Sequence, residues 1–101
     1  MKKIINGRKY DTNTAEEIGM YTNGRSSADF SYFCETLYRK RTGEFFLHGY
    51  GGASSRYAQS VGNSLTGGEK ILPLAEGEAK SWAENHLTGD EYEAIFGEVE
   101  E

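Results

Sequence analysis

Two aromatic-rich runs, Phe30 to Lys40 and Glu44 to Tyr50, are separated only by Arg41-Thr42-Gly43. Glycine at the third loop position suits a type I turn followed by a G1 bulge, because that position takes a positive φ. The two runs are therefore expected to fold back on each other as an antiparallel hairpin. The turn sets the register: Lys40 faces Glu44, Tyr38 faces Phe46, Leu37 faces Leu47 and Thr36 faces His48. This one register produces both an opposite-charge pair and an aromatic pair, each adding roughly 0.2–1 kcal/mol.

Other elements follow from local signals. Asn6-Gly7 readily takes the two positive φ angles of a type I′ turn, so residues 2–11 read as a second hairpin. Thr14 followed three positions later by Glu17 is a capping box, which predicts a short helix over 14–19 ended by Gly19. Residues 21–24 read as strand or turn, and 24–28 as a polar loop. Residues 49–68 are rich in Gly and Ser, with only Arg56-Tyr57-Ala58 suggesting a helical turn. Residues 70–74 read as a strand, and Pro73, which has no N–H to donate, puts it at a sheet edge or a strand end.

Ala75, Ala79, Trp82, Ala83 and His86 recur at helical spacing, which predicts an amphipathic helix over 75–87. Thr88 and Glu91 form a further capping box, predicting a second helix over 89–96 with Gly97 at its end. The expected architecture is a single α+β domain over residues 1–101. An antiparallel sheet of about four to five strands would carry the short N-terminal helix and the two C-terminal helices on it. Seven Tyr, five Phe and one Trp make an aromatic-rich core the expectation.

Composition excludes several classes. No apolar run approaches the roughly 20 residues of a membrane helix. The first seven residues have two charges but no apolar stretch, so a secretory signal is not expected and a cytoplasmic location is. One cysteine, Cys34, allows neither an internal disulfide framework nor a thiolate zinc cluster.

Charge is distributed unevenly. Residues 1–68 hold nine basic and six acidic groups, whereas residues 69–101 hold two basic and ten acidic groups. A general nucleic-acid binder does not have this balance, and direct nucleic-acid binding is not expected. The acidic third suits a basic partner, or a surface that resembles nucleic acid electrostatically. Its candidate contact residues are Glu76, Glu78 and Glu84, then Asp90, Glu91 and Glu93, then Glu98. Helix N-termini explain Glu76, Glu78, Asp90 and Glu91 locally, but not the lack of balancing Lys or Arg. The alternative is a solvated face that keeps a small protein soluble.

The remaining constellations are weaker. Cys34 and His48 fall on one sheet face as diagonal neighbours, a loose fit for a thiolate–imidazole couple, with no orienting Asp or Asn evident. His48 and His86 lack the close spacing of a metal site. Gly49-Tyr50-Gly51-Gly52-Ala53-Ser54-Ser55-Arg56 lacks the Gly-Lys-Ser/Thr ending of a P-loop, though its amides and Arg56 offer an anion nest. Arg39-Lys40-Arg41 reads first as a charged hairpin tip that guards against edge pairing, and second as a nucleic-acid backbone contact. Neither a catalytic residue, a metal nor a cofactor is expected.

Several segments carry a resemblance: Lys2 to Thr12 with Thr14-Ala15, Glu35 to Gly49, Ser55-Arg56-Tyr57-Ala58, and Gly68 to Leu74 with Ala79 to Glu84. Together they resemble small proteins of phages and mobile elements of Firmicutes, some of which are anti-CRISPR proteins. The resemblance spans nearly the whole chain and rests on residues of the fold, so it assigns no functional residue. It departs at Ala75, where a Ser or Thr N-cap is expected. Together with the charge map it implies a protein of the bacterial host cytoplasm that binds a Cas effector stoichiometrically. The acidic face would act as a DNA mimic and block target DNA binding, and charge reversal of Glu84, Glu91 and Glu93 would abolish inhibition. The alternative is a nucleic-acid-associated accessory protein using the Arg39–Arg41 tip and the Gly-rich loop. An enzyme with Cys34 as nucleophile is the third class. A homodimer through an exposed edge strand is also compatible with the aromatic excess.

Overall fold

A computed structural model describes residues 1–101 as eight strands followed by two helices. The strands are β1 (Lys2–Ile5), β2 (Arg8–Asp11), β3 (Glu16–Thr22), β4 (Phe33–Arg39), β5 (Phe45–Gly51), β6 (Gln59–Val61), β7 (Ser64–Thr66) and β8 (Gly68–Leu74). The helices are α1 (Glu76–His86) and α2 (Gly89–Phe96). A four-stranded antiparallel sheet in the order β3-β4-β5-β8 forms the centre, and β1–β2 and β6–β7 are separate two-stranded hairpins.

The β4–β5 register pairs Thr36 with His48, Leu37 with Leu47 and Tyr38 with Phe46, as the turn chemistry predicts. Gly43 has φ +94° and its amide donates to the Lys40 carbonyl at 2.9 Å. Lys40 Nζ meets Glu44 Oε1 at 3.1 Å, and Tyr38 stacks on Phe46 with centroids 5.2 Å apart. Asn6 and Gly7, at φ +53° and +77°, turn β1 into β2. Pro73 lies in β8, an edge strand of the sheet.

Three expectations require correction. There is no N-terminal helix: residues 16–22, which include Gly19, form β3. The Thr14 hydroxyl donates to the Asp11 carbonyl instead of capping residue 17. A six-residue helix has little stability of its own, whereas β3 gains a full ladder on β4 and places Ile18 and Tyr21 in the core. Gly19 sits at a bulge in mid-strand, where a Cβ would lie 2.7 Å from a Leu87 methyl. The first aromatic run enters its strand at Phe33, not Phe30. The 49–68 segment holds a small hairpin, β6–β7, turned at Gly62 with φ +61°; the central sheet has four strands, within the expected four to five, and two separate two-stranded hairpins accompany it.

Strand alternation divides the sheet into two faces. On one, Leu37, Phe45 and Leu47 pack against Ala79, Trp82 and Ala83 of α1, with Tyr92, Ile95 and Phe96 of α2 at the margin. On the other, Tyr10 brings the β1–β2 hairpin onto Phe46 and Ile71, meeting Phe46 edge-on at 5.5 Å. Neither helix is long and apolar enough to cross a membrane.

Candidate partner-binding surface

Beyond the apolar packing, one buried carboxylate ties α1 to the sheet. Glu35, 3% exposed, is on the helix-facing side of β4, two residues before Leu37. Its Oε1 accepts from Trp82 Nε1 at 2.9 Å, which ties α1 to the sheet. Its Oε2 accepts from the Tyr57 hydroxyl and from Arg56 Nη1, the latter at 3.2 Å. The Tyr57 ring lies over Gly49, where a Cβ would come within 2.0 Å of it. Burial first, and then the neighbouring Glu35, push the Tyr57 hydroxyl well above its ordinary pKa. Strand alternation could have found Glu35, since it shares the inward face with Leu37.

All seven predicted contact carboxylates are exposed, but their settings differ. At 3.6 residues per turn, Glu84 lies opposite the buried Ala79–Trp82–Ala83 stripe, while Glu76 and Glu78 flank that stripe on its two sides. Glu78 accepts from the Ala75 amide at 2.8 Å, half of a capping box that Ala75 cannot complete. Glu76 approaches Lys80 at 3.8 Å. On α2, Asp90 points away from the inner Tyr92–Ile95–Phe96 face. Glu91 completes the capping box with Thr88, accepting from its amide at 2.9 Å, and Glu93 accepts from the Val99 amide at 2.9 Å.

The fold brings a subset together. Glu84 and Glu93 border a cleft of about 310 Å³ that is also lined by Leu87, Tyr92 and Val99. Glu93, Glu98, Glu100 and Glu101 border an adjoining hollow that also includes Val99. Glu76 instead lines a cleft beside Tyr10, Glu44 and Pro73, at the opposite end of α1. The assembled patch is an apolar depression with a carboxylate rim, an arrangement suited to holding a cationic, partly apolar protein surface. Leu87, Tyr92 and Val99 were missed as contact residues because only the α1–α2 corner and the chain after Gly97 place them together.

From residue 76 onward the chain holds nine carboxylates and one Lys. The Glu76–Lys80 contact is the only ion pair among them, which leaves eight without one. The other constellations are closed off. Cys34 is buried, and the register sets it opposite Tyr50 on β5, not opposite His48. The orienting carboxylate for His48 does exist, since Nε2 meets Glu69 Oε2 at 2.9 Å. His48 and His86 lie on opposite faces of the sheet, and no three metal-ligating side chains gather anywhere in the chain. The Gly-rich loop spends its amides internally: Gly52 donates to Tyr32, Ser54 to Phe30 and Ser55 to Gly52, so no anion nest is open. Arg39 pairs with Glu16 at 2.8 Å and Lys40 with Glu44, leaving Arg41 free at the tip beside Lys9.

No protein-family model matches the chain, and neither a curated protein nor a solved structure is detectably similar to it.

Proposed function

We propose that the chain is an anti-CRISPR protein that inhibits a Cas effector complex by stoichiometric binding in the bacterial cytoplasm. The carboxylate-rimmed depression between α1 and α2 seats on a basic surface that otherwise accommodates target DNA. It acts by occupancy, without chemistry. Eight carboxylates without an ion pair on one short segment carry this reading. Such a concentration of like charge costs self-repulsion in the free protein, which a basic partner relieves. The resemblance to phage and mobile-element proteins names the partner class.

Charge reversal tests the reading. Glu84 and Glu98 have no internal hydrogen bond or ion pair, unlike Glu91 and Glu93, so Glu84→Lys with Glu98→Lys leaves the fold intact. The double variant is expected to lose binding to purified Cas effector complexes while keeping its circular dichroism spectrum and Tm. Undiminished binding by the folded variant would sink the acidic-patch reading.

A second reading rests on Lys9, Lys40 and Arg41 bordering one cleft of about 240 Å³: a nucleic-acid accessory protein of a mobile element. It requires the isolated protein to bind DNA or RNA with a steep loss of affinity as salt rises.

A further inference from the structure

The second hairpin, β6–β7, is unlike the rest of the molecule. Tyr57 to Gly68 is the longest run in the chain without Asp, Glu, Lys or Arg, twelve residues in a protein that is 27% charged. Every residue of both strands is exposed. The register pairs Ser60 with Leu65 and Val61 with Ser64, so Val61 and Leu65 project from opposite faces of the ribbon. They are 62% and 63% exposed. The two strands pack mainly on each other, with Gln59 lying against Gly68 of β8 at the base.

A two-stranded ribbon of three-residue strands does not hold itself together in water. Here its base is held rigidly, because Tyr57 is fully buried and bound to Glu35. With every residue of its strands exposed, the ribbon is presented, not packed.

We propose that β6–β7 is a second contact arm that inserts into a narrow, uncharged cleft of a protein partner, with Val61 and Leu65 gripping its two walls. This rests on the proposed function, in which the same partner receives the acidic patch. Apolar side chains on both faces call for walls on both sides. Nucleic acid is a poor occupant, since the arm has no cation and no exposed aromatic ring to meet phosphate or base. A second copy of this chain is also a poor fit. Each of its own clefts is rimmed by charged side chains: Glu44 and Glu76, Arg39 and Arg41, Glu84 and Glu93, Lys9 and Lys40, or the Glu98–Glu101 group.

The test compares the full chain with its Val61→Thr, Leu65→Thr double variant, which keeps strand propensity on an exposed ribbon. Binding to purified Cas effector complexes is followed by surface plasmon resonance over a range of salt concentrations. The expected result is on the order of 100-fold weaker binding, carried by faster dissociation, with the salt dependence unchanged. The Glu84→Lys, Glu98→Lys variant should instead slow association and flatten the salt dependence. If the wild type binds and the hairpin variant binds equally well, the arm is overturned while the inhibitor reading stands. If the wild type binds no effector, both are overturned. Sedimentation of the wild type as a dimer and of the hairpin variant as a monomer would make the occupant a second copy and overturn the proposal.

Discussion

The two ends of the chain treat their charges in opposite ways. Within the sheet and its covering hairpin, most carboxylates are matched internally, Glu44 to Arg8 and Lys40, Glu16 to Arg39, Glu35 to Arg56 and Glu69 to His48, with Asp11 and Glu17 the exceptions. From α1 onward, nine carboxylates share one Lys. Those paired within the sheet set register and tie elements together, so their loss should appear as lost stability. On the helices and the chain beyond, Glu78, Glu91 and Glu93 make only local bonds to backbone amides, and loss of unbonded Glu84 or Glu98 should appear as lost binding. Charge that a fold does not use internally is available to something else.

The largest effect is expected at Glu35. Glu35→Ala leaves Trp82 Nε1 and the Tyr57 hydroxyl buried without an acceptor, costing about 3 kcal/mol. Urea unfolding should show this, with a fall in Tm on the order of 15 °C. A loss no larger than that of Glu84→Ala would erase the distinction between the two regions.

Tyr57→Phe removes one of those bonds and is expected to cost about 1–2 kcal/mol. Its pH dependence sharpens the argument. The folded state raises the Tyr57 pKa above the ordinary 10.0. The resulting stability is present below pH 10 and lost as pH rises toward the raised value, because only the unfolded chain then releases the proton. Wild-type stability should therefore fall more steeply above pH 10 than that of Tyr57→Phe.

At Ala75 the expected change is a gain. Its backbone is extended at φ −69° and ψ 158°, correct for an N-cap, yet no side-chain oxygen receives the first-turn amides. Ala75→Ser should complete the box with Glu78 and add about 1 kcal/mol without touching partner affinity.

The smallest effect is at Glu44, whose hydrogen bonds from Lys40 and Thr42 hold its pKa below the ordinary 4.5. The stability it contributes is present above that ordinary value and fades as pH falls through the lowered one. Glu44→Gln should flatten the acid limb of the stability profile between about pH 5 and 3.

Legibility in the sequence followed the number of independent signals at each place. The β4–β5 hairpin was readable because turn chemistry, an ion pair and an aromatic pair demand the same register. Both C-terminal helices were readable from apolar spacing and from the Thr88–Glu91 box. The Thr14–Glu17 box misled because a local cap competes there with a whole ladder on β4, and the ladder is invisible until the partner strand is known. The β6–β7 hairpin was hidden because its two apolar residues lie on opposite faces and leave no alternating pattern. For the site, the acidity was plain in the composition. The Leu87–Tyr92–Val99 floor that gathers Glu84 and Glu93 was not, since it depends on how α1, α2 and the following chain meet.

Under the proposed function, the carboxylates left without internal partners occupy a DNA-accommodating surface. Capture of purified Cas effector complexes by the tagged protein, with and without pre-loaded target DNA, tests this. The effector is expected to be captured when free and not when target DNA is already bound, since both ligands need the same basic surface. Capture that is indifferent to target DNA would contradict it.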